Sequence, residues 1–205
     1  VAALMRQAGK ILAVISKHEF PKAGFFDGHL NVIEHISSES HLQFAKKCLN
    51  NQTVVKELGP DLVAKVDFYL DKYAQLFPND SERRLVHADF DPANILVDIR
   101  GKTWEITGIL DWEFSFSGST LCDVANMLRY AHQMPPVFEK AFLEGLNEGS
   151  VKCEGSWRIG VHLLNLLSLL DCLVRSDPTN RPKQCADICQ LITHIVEQLN
   201  GFEQK

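Results

Sequence analysis

The sequence predicts a mainly α-helical chain with one small β-hairpin set into it, an α+β fold, and three observations predict it. Apolar residues recur at helical spacing on both sides of the middle of the chain. Two β-rich runs, "NILVDIR" and "TWEITGILDW", flank Gly101 and Lys102 in the pattern of a hairpin. Turn-forming stretches such as "PNDSERR" and the pair Pro135 and Pro136 break the helical pattern between them. A length of 205 residues suits one domain or two small lobes, and 45% hydrophobic with 23% charged residues is the composition of a folded protein.

Leu4, Ala8, Ile11, Leu12 and Ile15 form a helical stripe over residues 2–17. The Gly- and aromatic-rich stretch that follows predicts a short extended piece around Leu30 to Ile33. Helices are expected over 38–49 and 61–77, the second burying Leu62, Val66, Tyr69, Leu70 and Tyr73. After the hairpin, helices are expected at roughly 119–131, 135–147, 156–175 and 181–200, with Ser119 and Asp123 suited to the start of the first and Pro135, Pro136 and Pro182 at boundaries.

Charge and composition narrow the partners. The formal charge is −5 and the basic residues are scattered, so a nucleic-acid partner is not expected. The most hydrophobic segment, "WRIGVHLLNLLSLLDCLVR", carries Arg158, His162, Asn165 and Asp171, which a bilayer penalises; it reads as a core helix, with no membrane partner expected. The 6 cysteines form no CxxC pair and read as reduced thiols, which points to the cytoplasm.

The chemistry gathers at "LVHADFDPANILVD", residues 85–98. Opposed positions in an antiparallel pair add to a constant, so a turn near 101–103 sets Asn94 opposite a residue at 109–111, where Asp111 stands. His87, Asp89 and Asp91 lie at the same mouth. A carboxylate and an amide oxygen side by side are hard ligands suited to Mg²⁺, which takes one or two carboxylates together with phosphate oxygens and water. A second carboxylate, Asp89, lies five residues before Asn94, near the metal and placed to orient a hydroxyl. Together these predict a phosphoryl-transfer site.

"LVHADFDPANILVD" with "GILDWEFSFSGSTLCDVANMLRY" resembles the catalytic core of the aminoglycoside phosphotransferase and choline kinase-like family, small-molecule relatives of the protein kinases. "FPKAGFFDGHLNV" resembles the segment that opens the C-terminal lobe in some members. The resemblance implies the C-terminal lobe of a protein-kinase-like fold, a single helical catalytic lobe over 1–205 whose N-terminal nucleotide lobe would precede Val1. By position, it makes Asp89 the catalytic residue, Asn94 and Asp111 the metal ligands, and His87 and Asp123 supports of the catalytic loop. Asp123 is expected to cap its helix and tie down the loop after the metal Asp. Ala88 stands where a Gly is common, which constrains the loop. Glu113, two residues past Asp111 on what reads as an extended segment, should point the same way, and it joins Asp91 as a candidate substrate-binding residue.

The family's Gly-rich lid and strand lysine have no counterpart here, since Lys65 in "LVAKVDF" has helical neighbours. The implied function is phosphoryl transfer from ATP (or GTP) with Mg²⁺ to a hydroxyl of a small molecule, an amine-bearing alcohol among the candidates. The alternative is a non-catalytic small-molecule-binding or pseudokinase module that lacks the nucleotide lobe.

Overall fold

The computed structural model describes residues 1–36 and 38–203. In chain order its elements are α1 (Ala2–Ile15), β1 (Gly24–Phe26), β2 (Val32–His35), α2 (Ser38–Leu49), α3 (Gln52–Leu58), α4 (Pro60–Lys72) and β3 (Arg84–Val86). They continue with β4 (Ile95–Arg100), β5 (Thr103–Ile109), β6 (Phe116–Gly118), α5 (Leu121–Leu128), α6 (Val137–Glu148), α7 (Trp157–Val174) and α8 (Pro182–Gly201). The expected α+β class is the observed one. The chain forms two compact units, Val1–Ile36 with Pro78–Trp157 and Ser37–Phe77 with Arg158–Lys205.

Among the described residues, the first unit holds every β-strand. β4 and β5 form the expected hairpin, from Ile95 opposite Ile109 to Arg100 opposite Thr103, with Gly101 at φ 66 in its turn. A four-stranded antiparallel sheet, ordered β2-β1-β6-β3, was not expected, because strands of three or four residues are too short to display a period. Its strand β3 is paired on both sides: with β6 through the ladder, and with the chain after α1 through Leu85 N–H to His18 O at 2.8 Å. That pairing delivers Val86, fully buried, to the threshold of His87.

Much of the hairpin faces solvent; Ile99 is 55% and Trp104 52% exposed. Helix α1 pins it through one side chain. Gln7 donates from Nε2 to Trp104 O at 3.3 Å and accepts at Oε1 from Ile106 N–H at 3.0 Å, closing a donor and an acceptor that the strand would otherwise leave to water.

α1 crosses α6 backbone to backbone. A Cβ built on Gly9 would lie 2.2 Å from Phe142 O, and one on Gly145 would lie 2.1 Å from Arg6 O. Arg6 and Lys10 flank the crossing with bridges to Glu144 and Glu148, all on side chains 40–53% exposed, so these ion pairs add about 1 kcal/mol or less each. The glycines decide the stability here. Ala gains about 1 kcal/mol of helix propensity over Gly, but overpacking against rigid backbone costs about 1–3 kcal/mol and more where nothing can yield. Gly145→Ala is therefore expected to lower the unfolding free energy, read from urea denaturation, by about 1 kcal/mol or more; a more stable variant would show that the helices can separate freely.

In the second unit, Lys46 of α2 bridges Asp67 and Asp71 of α4 at 3.0 and 2.7 Å. Helix α3, which was not expected, starts where Asn51 Oδ1 accepts from Thr53 N–H at 2.9 Å and ends at Gly59, φ 74. The helix expected over 61–77 stops at Lys72 and passes into a single 3₁₀ turn, Ala74–Leu76. α4 packs on α8, where Lys72 pairs with Glu203. α7 has the length and apolar composition of a membrane span, yet Leu163, Leu166, Leu170 and Leu173 are wholly buried in the protein, as in a core helix. All six cysteines are free thiols.

Candidate active site

His87, at the end of β3, is completely buried. Its Nε2 lies 2.8 Å from Leu110 O, and its Nδ1 accepts from Asp89 N–H at 3.2 Å. These two bonds assign the ring proton to Nε2, and burial holds the imidazole pKa below its usual value, so the ring is neutral. Trp112 packs its edge on the same ring with centroids 4.5 Å apart, and the buried Phe90 approaches from the loop itself. His87 thus ties the loop after β3 to the strand exit after β5 and braces both.

Asp123 and Asn126 reach the loop from α5. Asp123 Oδ2 accepts from His87 N–H and Oδ1 from Ala88 N–H, each at 2.8 Å, and the side chain has no exposed surface. Burial pushes its carboxyl pKa up to about 7 against these two bonds, which favour the charged form. Asp123 was expected to cap its helix and tie down the loop after Asp111, and its observed partners are different. It holds the loop after β3 rather than the loop after Asp111, and it does not cap α5, where Ser119 Oγ accepts from Leu121 N–H instead. Asn126 was not expected at all. Its Nδ2 donates to Ala88 O at 2.7 Å. The signal for it was a second polar residue one turn after Asp123 in the otherwise apolar "LCDVANML".

Ala88, held by both, sits at φ 70 in the left-handed region, which costs a residue with a Cβ about 1–2 kcal/mol. Asp89 follows, half-buried. Asn94 Nδ2 donates to Asp89 O at 2.9 Å and to Asp89 Oδ2 at 2.8 Å, so one carboxylate oxygen is fixed and Oδ1 remains for a further partner. Asp91 N-caps the 3₁₀ turn Pro92–Asn94, accepting from Ala93 N–H at 2.7 Å. That gives it a structural task in the place where a substrate contact was expected.

Asn94 O accepts from Leu110 N–H at 2.9 Å, so Asp111 lies one residue beyond the pairing. β5 ends at Ile109 rather than running through Trp112, and Asp111 itself turns the chain at φ 66. The residues after it form a turn closed by Ser115 N–H to Trp112 O at 3.0 Å. The alternation used to aim Glu113 beside Asp111 therefore does not apply, because that rule needs extended backbone.

The donors fit Mg²⁺. Asn94 spends its Nδ2 hydrogens on Asp89 and keeps Oδ1 as an acceptor. Asp111 is exposed and makes no hydrogen bond or ion pair among the described residues. A spare amide oxygen and a spare carboxylate are hard ligands. Among the described residues no group of three or more His, Cys, Asp or Glu could hold a metal, so a cation here would take its remaining ligands from phosphate and water.

The sequence matches the model of a phosphotransferase enzyme family over residues 1–155. Comparison with curated proteins gives no match. Among solved structures, a thermostable mutant of aminoglycoside phosphotransferase APH(4)-Ia in ternary complex with AMP-PNP and hygromycin B aligns with TM-score 0.67 and 21% identity, over 95% of this chain and 64% of that one. Macrolide 2'-phosphotransferase MphH from Brachybacterium faecium aligns with TM-score 0.62 and 16% identity, over 94% and 60%. Choline kinase LicA from Streptococcus pneumoniae aligns with TM-score 0.60 and 16% identity, over 96% and 64%. At these identities the likeness is one of fold, and the chain spans less than two-thirds of each of these proteins. Residues 1–155 carry the strands, the loop after β3 and the hairpin, and by their match this chain belongs to the phosphotransferase enzyme family.

Proposed function

We propose that this chain is the catalytic lobe of a small-molecule kinase that transfers the γ-phosphoryl group of ATP to a hydroxyl, completed by a nucleotide-binding lobe outside the 205 residues. One observation carries the proposal: Asn94 fixes Asp89 through Oδ2 and leaves Oδ1 open, while its own carbonyl pairs with the N–H of Leu110, the residue before Asp111. Asp89 Oδ1 orients the acceptor hydroxyl and takes its proton as the oxygen bonds to the γ-phosphorus. The bond from that phosphorus to the β,γ-bridging oxygen breaks, and the electron pair leaves with ADP. Asn94 Oδ1 and the Asp111 carboxylate would hold Mg²⁺, which supplies positive charge against the phosphate oxygens. His87 and Asp123 touch neither substrate and keep the loop in place.

Solved relatives of this fold are named for an aminoglycoside, a macrolide and choline, all small molecules bearing hydroxyls. The formal charge of −5 suits a cationic, amine-bearing alcohol.

Calorimetric titration of the chain with ATP and MgCl₂, beside Asp111→Asn, tests the reading. Binding is expected to need Mg²⁺ and to weaken by more than about 100-fold in the variant, since even outer-shell partners of a metal are worth 10- to 100-fold. ATP binding indifferent to both Mg²⁺ and Asp111→Asn overturns the ligand assignment. A folded chain that binds a small-molecule alcohol but no nucleotide, even with its full-length partner lobe, favours a non-catalytic binding module.

A further inference from the structure

Two peptide groups link His87 to Asp89, and each is gripped by named side chains. The His87–Ala88 peptide gives its N–H to Asp123 Oδ1 at 2.8 Å. The Ala88–Asp89 peptide is held at both ends: its carbonyl accepts from Asn126 Nδ2 at 2.7 Å, and its N–H donates to His87 Nδ1 at 3.2 Å. Rotation of this second peptide is the motion that would swing Asp89 out of its place.

Asn126 is built for this contact. It is 9% exposed, and it lies three residues after Asp123 on the same face of α5. An amide can present either its oxygen or its nitrogen to a partner, and the next turn of α5 settles which. Arg129 Nη2 donates to Asn126 Oδ1 at 2.6 Å, so the oxygen is taken and the NH₂ faces Ala88. The carbonyl it meets belongs to a residue at φ 70, a conformation glycine adopts freely and alanine resists.

We propose that Asn126 is a positioning residue for phosphoryl transfer: oriented by Arg129, its amide clamps the left-handed Ala88 peptide and thereby sets the direction in which Asp89 presents its carboxylate. The inference rests on the reading of Asp89 as the residue that takes the acceptor proton. It assigns α5 a task beyond packing. The helix acts on the loop through two side chains, one holding N–H groups and the other holding a carbonyl.

Asn126→Asp separates the clamp from packing. It preserves volume and keeps an acceptor for Arg129, but it turns an oxygen toward the Ala88 carbonyl in place of a donor. In the full-length enzyme, kcat is expected to fall by roughly 10- to 100-fold, while KM for ATP and for the acceptor stays within about threefold. Asn126→Ala should lose a similar factor, and adding Ala88→Gly should recover most of it, because glycine holds φ near 70 unaided. Circular dichroism and the unfolding midpoint identify any variant that does not fold, and the double variant then carries the test. Wild-type kcat in folded Asn126→Asp overturns the inference, as does a loss in Asn126→Ala that Ala88→Gly leaves untouched. Asp89→Asn measured alongside separates the two readings: if it too keeps wild-type kcat, the assignment of Asp89 has failed, and if only the Asn126 variants do, the clamp has.

Discussion

Asp89→Asn is expected to lower turnover by about 10²- to 10⁴-fold while leaving nucleotide affinity close to wild type. The substitution is nearly isosteric, and its carbonyl oxygen can still accept the Asn94 Nδ2 bond that Oδ2 accepts at 2.8 Å. The position facing the acceptor then carries an NH₂ group, which cannot receive a proton and which donates toward a hydroxyl that also needs to donate. The loop stays in place because His87, Asp123 and Asn126 hold its backbone rather than the Asp89 side chain. Steady-state turnover measured beside the ATP dissociation constant separates the two effects. Unchanged turnover would remove Asp89 from the chemistry, and an equal loss in binding would make it a nucleotide contact instead.

The second large effect is expected at Asp123. Asp123→Ala strands two N–H donors, the buried one of His87 and the part-buried one of Ala88, each at a cost of about 1–3 kcal/mol. Relief from burying a carboxyl offsets part of this, so a net loss of about 2–5 kcal/mol is expected from urea unfolding. Asp123→Asn retains one oxygen, meets one N–H with its own NH₂, and should lose about half as much. The pH dependence gives a second check. The folded pKa, about 7, lies above the ordinary 3.8, so the stability that Asp123 contributes is fully present below pH 3.8 and is lost as pH rises through about 7. The stability gap between wild type and Asp123→Asn should narrow between pH 5 and pH 8. A gap that widens over that range would mean that the carboxylate, not the acid, is the favoured form in the folded protein.

The parts of this fold legible in the sequence were those with local signatures. Gly101 between two β-rich runs specified the β4–β5 hairpin, and the spacing of His87, Asp89 and Asn94 placed the polar cluster at its mouth. The long helices showed in their apolar stripes. Strands β1, β3 and β6 did not show, because each has three residues and is defined by partners distant in sequence, as when Arg84 pairs with Gly118. Glu113 was misplaced for a local reason that leaves no trace in composition: Asp111 adopts a positive φ that an Asp tolerates but does not announce. Asn126 was missed because its partner is Ala88, 38 residues earlier, and a buried amide in a helix declares nothing about what it holds.

The two glycines where α1 crosses α6 have a reach beyond their own contact. α1 is a rigid strut: at the Gly9–Gly145 crossing it rests on backbone that cannot yield, and at Gln7 it grips the strand that ends two residues before Asp111. A strut transmits displacement without absorbing it. One methyl group added at the crossing must shift the helix, and the shift arrives at β5, where it moves a proposed ligand rather than a surface loop. Affinity for the cation proposed to sit at Asp111 would thereby be tied to how closely two helices approach.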